Sequence, residues 1–244
     1  MAGHNKWSQI KRKKAANDAS RGKTISKHIR AIQSAVRDAG SADTTTNLAL
    51  KNALAAAKSD NVPVDNIDRA IERALGGTEG GDYEAVTYEG YGPAGVALIV
   101  EALTDNRNRT IADVRHAFSK NGGNLSGGTA WQFDAKGLIV LATVSEKAQE
   151  AAIEHGALDI ELDDDALTIY TDPTELHTVN DNLQAAGFES EISQLTKVPQ
   201  TETKLSSEDA SKVARFIESL EDLDDVQNVY TTANLDALDV VSEA

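Results

Sequence analysis

Ten lysines and arginines fall within the first 37 residues (Lys6, Lys11, Arg12, Lys13, Lys14, Arg21, Lys23, Lys27, Arg30 and Arg37), and a single acid, Asp18, accompanies them. Cations clustered in this way suit phosphate: each one that meets a polyanion releases condensed counterions, which favours binding entropically. Trp7 is the one aromatic in the stretch, so serial stacking of bases is not the expected mode. Backbone-directed, weakly sequence-selective contact fits better. A second basic spot, Arg107, Arg109 and Arg115 in TDNRNRTIADVR, stands at the start of a predicted helix whose N–H groups also favour anions. The plain structural alternative for this spot is a cap with salt bridges to acids elsewhere in the chain.

Other residue patterns carry less. Gly22-Lys23-Thr24 ends like a phosphate-binding loop, but Asn17 stands where its first glycine belongs and no strand precedes it. Asp159, Glu161, Asp163, Asp164 and Asp165 lack the turn glycine and closing glutamate of a calcium loop, and read as a solvated turn. Five histidines (His4, His28, His116, His155 and His177) show no paired metal spacing, although His28 neighbours the basic face. Glu221, Asp222, Asp224 and Asp225 read as a solvated helix end and turn. With no cysteine, disulfides, thiol catalysis and thiolate zinc sites are excluded. No nucleophile–base constellation is present, and a nuclease would have to use Glu101, Asp105 and Asp113, which lie on different elements. The expectation is a non-enzyme with no cofactor and no metal.

The net charge of −15 conceals an asymmetry. Residues 1–76 hold 14 basic and 7 acidic side chains, whereas 77–244 hold 10 and 32. An anion-binding end on an acidic body is one reading; pairing of the two ends with each other, or with a second copy, is the other. Exposed ion pairs are worth only ~0–1 kcal/mol, so stability alone is a weak reason to collect so many positive charges. The strongest apolar stretch, Val96 to Val100, is far too short for a membrane span, and no apolar run follows the basic start. A cytoplasmic protein without membrane contact, monomeric or weakly dimeric, is expected.

The elements that must position these charges follow from periodicity. Ile25, Ile29, Ile32 and Val36 form one helical stripe, with Lys23, Lys27, Arg30 and Arg37 on the opposite side. Gly40-Ser41 ends that helix, Asp43 or Thr44 is positioned to cap a second carrying Leu48, Leu50, Leu54 and Ala57, and a third carries Ile67, Ile71 and Leu75 after Pro63. Beyond Gly80-Gly81 two strands are predicted at 85–91 and 96–103, then a helix at 109–120 and a glycine-rich loop, NGGNLSGG. From Lys136 the order strand, helix, strand, strand, helix, strand matches a split βαβ unit, 197–204 reads as a linker, and a helix and strand complete the chain. The fold class is therefore α+β: an N-terminal helical bundle (1–78) and two ferredoxin-like α+β domains, 79–133 with 205–244 forming one and 134–204 inserted in it.

AGHNKWSQIKRKKAANDASRGK, TYEGYGPAGVALIVEALTDNRNRTIADVRHAFSKNGGNL, GTAWQF and LEDLDDVQNVYT together resemble the YebC/PmpR family over nearly the full chain, with Thr24-Ile25 where a bulkier residue is expected after Gly-Lys. The resemblance implies three domains around a central cleft. It also implies a DNA-binding transcriptional regulator or, for other members, a ribosome-associated factor aiding synthesis of proline-rich peptides. Carried over by motif, Lys6, Lys11, Arg12, Lys13, Lys14, Arg21, Lys23, Lys27 and Arg30 would contact DNA or RNA, with Arg107 and Arg109 as accessories. The alternative from another class is a protein-interaction module to which the basic arm adds only solubility or self-association.

Overall fold

The computed structural model describes residues 21–76, 83–163, 165–235 and 238. The first part is three helices, α1 (Arg21–Ala39), α2 (Leu48–Ser59) and α3 (Val64–Gly76). Their core is Ile32, Val36, Leu50, Ala57, Val62, Ala70 and Ala74, with Ile25 and Ile29 packed partly against it. Both helix ends are closed by local geometry. Gly40 is left-handed (φ 62°), and the N–H groups of Gly40 and Ser41 return to the carbonyls of Arg37 and Val36. Asn61 (φ 53°) repeats this after α2, where the N–H of Val62 returns to Ala57.

The cap of α2 is Asn47 rather than Asp43 or Thr44. Asp43 is drawn into its own turn, accepting from the N–H and hydroxyl of Thr45 at 2.9 and 2.7 Å. Asn47 accepts from Leu50 N at 2.9 Å and donates to the carbonyls of Ala35 (2.8 Å) and Ser41 (2.9 Å), so one buried amide ties α1 to α2. Asn47→Ala strands all three groups and is expected to cost about 2 kcal/mol in urea unfolding, the upper end for a lost cap. Leu75, predicted on the packing face of α3, is 55% exposed.

The second part contains β1 (Glu84–Tyr91), β2 (Ala97–Thr104), α4 (Arg107–Lys120), β3 (Phe133–Leu141), α5 (Glu146–Glu154), β4 (Asp159–Leu162), β5 (Leu167–Thr171), α6 (Leu176–Ala185), β6 (Ser190–Pro199), α7 (Ser207–Glu221) and β7 (Val226–Thr231). The α+β class is as the patterning predicts. The strands form two antiparallel sheets, β1-β2-β7 and β4-β5-β3-β6. In the second sheet, numbered within its own unit, the order is 2-3-1-4, that of a split βαβ pair. Ile139, Leu141, Leu167 and Ile169 meet Ala148, Ala152, Leu176, Val179 and Leu183 of α5 and α6 on one of its faces.

Among the described residues the first sheet carries three strands. Where a fourth would lie, the glycine-rich loop touches β1 at one bridge, Tyr91 with Asn124. Gly122, Gly127 and Gly128 take φ near +75°, which no strand sustains. Gly90 permits the approach: a Cβ there would sit 2.4 Å from the Asn124 carbonyl oxygen. The face of this sheet formed by Leu98, Val100 and Ala102 packs against Val114, Ala117 and Phe118 of α4 and Ala210, Val213, Phe216 and Leu220 of α7.

β3 and β6 pair along almost their whole lengths, from Phe133 opposite Pro199 to Leu141 opposite Ser190. The stretch read as a linker from residue 197 thus begins as strand, because Lys197 and Val198 find partners in Ala135 and Asp134. β6 is an edge strand, and α2 lies along it; α2 also reaches α6, with Asn52 2.7 Å from His177 and Lys51 3.9 Å from Asp181. Burial, and secondarily the charge of Lys51, hold the His177 pKa below the usual histidine value.

Candidate nucleic-acid interface

The stripe of α1 sets the geometry. Once Ile32 and Val36 are buried among the helices, Lys23, Lys27 and Arg30 must leave by the other side. There they meet the end of α7. Lys23 Nζ reaches the Asp222 carbonyl at 3.3 Å and its carboxylate at 3.6 Å. Lys27 Nζ donates to the Glu221 carbonyl at 2.6 Å, and Arg30 Nη1 to the Asp224 carbonyl at 2.9 Å. The last carbonyls of a helix lack intrahelical partners and carry the negative end of its dipole, so cations at this point are favoured twice. Arg30 also lies 5.8 Å from the centre of the Tyr83 ring.

The segment does not end as a solvated turn, as its acid content predicts. Asp225 is only 6% exposed and is the hub of five donors. Its Oδ1 takes Arg30 at 3.1 Å; its Oδ2 takes Arg109 and Thr110, each at 2.7 Å, and Thr104 at 3.2 Å. Its own carbonyl accepts from Leu103 N at 2.8 Å. Four elements are thereby joined at one carboxylate: α1, the end of β2, the first turn of α4, and the α7–β7 connection. Burial opposes ionisation of Asp225, but the hydrogen bonds of Arg109 and Thr110, the Arg109 charge and the Thr104 hydroxyl outweigh it and hold the carboxyl below the usual aspartate range. Arg109 is held protonated, chiefly by its hydrogen bonds to Asp225 and Asp105.

The predicted site residues divide accordingly. Lys6, Lys11, Arg12, Lys13 and Lys14 lie outside the described residues. Arg21 opens α1 on an exposed position. Lys23, Lys27 and Arg30 are gathered on the acidic segment 221–225. Arg107 pairs with Glu84 at 3.1 Å, and Arg109 with Asp105 at 2.8 Å as well as with Asp225. The first turn of α4 is also occupied, since Asn106 Oδ1 accepts from Arg109 N at 3.1 Å. Arg107 and Arg109 of the second basic spot thus form salt bridges to acids of the chain, with side chains that remain 63% and 48% exposed. His28 faces Asp60 at 2.6 Å. Two cations that sequence reasoning did not single out, Arg69 and Arg73, line a shallow depression between α1 and α3 with Ile29, Asn66 and Ala70, and both are exposed. Their i, i+4 spacing on the solvent side of α3 was the available signal.

Among the described residues no group of three or more His, Asp or Glu is placed to hold a metal ion, and no helix is long and apolar enough to cross a membrane. What the fold and the site define is a three-helix cationic unit clasped to an acidic two-sheet α+β body. Residues 5–77 match the TACO1/YebC protein N-terminal domain, and residues 83–233 the TACO1/YebC second and third domain. The chain is 56% identical over 238 residues to a probable transcriptional regulatory protein of Deinococcus radiodurans, covering 96% of this chain and 98% of that one. A probable transcriptional regulatory protein of Thermus thermophilus is 54% identical over 243 residues, with 98% and 99% covered. The crystal structure of a conserved hypothetical protein from Aquifex aeolicus superposes with a TM-score of 0.79 at 44% identity, covering 89% of this chain and 91% of that one. The chain belongs to the TACO1/YebC family.

Proposed function

We propose that this protein is a non-enzymatic regulator of gene expression that grips the phosphate backbone of DNA through its basic N-terminal part, with Lys6, Lys11, Arg12, Lys13, Lys14 and Arg21 as the primary contacts. The observation that carries the reading is the distribution of charge: residues 1–20 hold five Lys/Arg against Asp18 alone, in front of a body with 32 acids and 10 bases. The names of the relatives from Deinococcus and Thermus agree with a transcriptional role. Arg107 and Arg109, already paired with acids of the body, act at most as accessories.

The test is a salt titration of binding to a DNA duplex. Replacing Lys11, Arg12, Lys13 and Lys14 together by Ala is expected to weaken binding across sequences. The plot of log affinity against log salt should flatten as well, by ~0.9 for each phosphate that is no longer neutralised. An unchanged slope removes the arm from the interface.

A second reading is favoured by the acidity of the body, which repels an extended duplex and suits a basic protein surface such as that of a ribosome. In that case the same cations hold structured RNA during translation. Crosslinking in cells separates the two: recovery of mainly ribosomal or transfer RNA overturns the transcriptional assignment, and enriched promoter fragments support it.

A further inference from the structure

We infer that the Lys23–Lys27–Arg30 face of α1 is itself a phosphate-binding surface which the free protein keeps occupied with its own segment 221–225, so that a nucleic-acid backbone and the acidic body compete for the same three cations. The inference rests on the nucleic-acid reading above and adds a regulated surface to it.

The occupant has the chemistry of the proposed ligand. Three carbonyl oxygens, of Glu221, Asp222 and Asp224, and two carboxylates, of Asp222 and Asp225, are presented to the three cations. Positions 23, 27 and 30 extend about 10 Å along a helix, an axial length over which one duplex strand presents about three phosphates. The contacts are also exchangeable. The side chains of Lys23 and Asp222 are 50% and 63% exposed, and that of Arg30 retains 27%. Pairs of this exposure are weak and salt-screened.

Breaking a buried ion pair is ordinarily costly because one charge is left unpaired. Here that penalty is avoided. When Arg30 leaves, Asp225 keeps Arg109, Thr110 and Thr104 on Oδ2, and Arg30 moves to another anion. The arrangement is a latch whose fixed half remains satisfied when it opens. Because the surrounding body is acidic, a phosphate chain approaching α1 in the docked state is repelled, which makes the two occupants competitive and not additive.

The test uses the full chain with a short DNA duplex and a structured RNA hairpin as probes. Asp222→Asn with Asp224→Asn preserves the carbonyls but lowers the charge of the occupant. It is expected to tighten binding about fivefold, the worth of roughly one exposed pair. Glu150→Gln with Glu154→Gln, exposed on α5, changes the net charge equally and serves as the control. Equal affinities for the two double variants overturn the competition. Because the chain has no cysteine, spin labels at Ser26→Cys and Glu218→Cys, both exposed, report the latch directly. A short distance in the free protein that lengthens on saturation with the probe supports the proposal; an unchanged distance with probe bound overturns it. If the intact chain retains neither probe, the nucleic-acid reading itself falls and takes this inference with it.

Discussion

Asp225→Ala is expected to destabilise the protein by about 3 kcal/mol at neutral pH, the cost of leaving buried donors without their shared charged acceptor. The Thr104 and Thr110 hydroxyls are left without this acceptor in a buried site, and two guanidinium groups without the charge they converge on. Urea unfolding measures the loss; Arg30 keeps the Asp224 carbonyl but loses its charged partner, so the docking of α1 on the body is weakened as well. Asp225→Asn keeps the size but replaces one accepting oxygen with a donor, and is expected to recover only a minor part.

The sign of the pH dependence follows from the lowered pKa of Asp225. Its contribution is complete above the ordinary aspartate value of about 3.9 and is lost as pH falls through the lower folded-state value. Below pH ~4 the wild type is therefore expected to lose stability more steeply than Asp225→Ala, and the two curves converge in acid. Parallel curves would show that the carboxylate is not ionised by preference in the folded state.

Phe216→Ala is the second large effect. Phe216 and Phe118 are fully buried and meet edge to face, with centroids 5.0 Å apart and planes at 85°. One ring comes from α4, before β3, and the other from α7, after β6, so the pair joins two distant stretches of chain into one core. Truncation removes the ring and opens a cavity, with an expected loss of about 4 kcal/mol. Gly92 lies against the same ring, since a Cβ there would sit 2.8 Å from Phe216 Cε1. The neighbours therefore have little freedom to collapse into the space. Phe216→Leu, which refills much of the volume, is expected to be markedly less destabilising.

Much of this architecture is legible in the residues. The stripe from Ile25 to Val36, the break at NVPVD and the strand-helix alternation after Lys136 each encode a local period that the packing respects. Leu75 shows where the pattern misleads. Steps of four residues advance 40° around a helix, so by Leu75 the row Ile67–Ile71–Leu75 has turned out of the core, and Ala70 and Ala74 are buried in its place.

Asp225 shows a different limit. In sequence it is one of several acids at a helix end, and nothing local distinguishes it from Asp222 or Asp224. Its role arises because folding brings Thr110 and Arg109 to it from more than a hundred residues away. The cationic side of α1 was readable from spacing, but its acidic counterpart on the same molecule was a matter of tertiary docking.

The long pairing of β3 with β6 bears on how the chain folds. β2 must find β7 across a wide separation in sequence, and closing so long a loop carries an entropic penalty that grows with its length. Once the four-stranded unit has formed, Phe133 and Pro199 stand opposite each other. The intervening residues then act as a short bridge, and the effective loop between β2 and β7 is shorter. The smaller sheet is therefore expected to close after the larger, and strand pairing followed by hydrogen exchange during refolding checks the order.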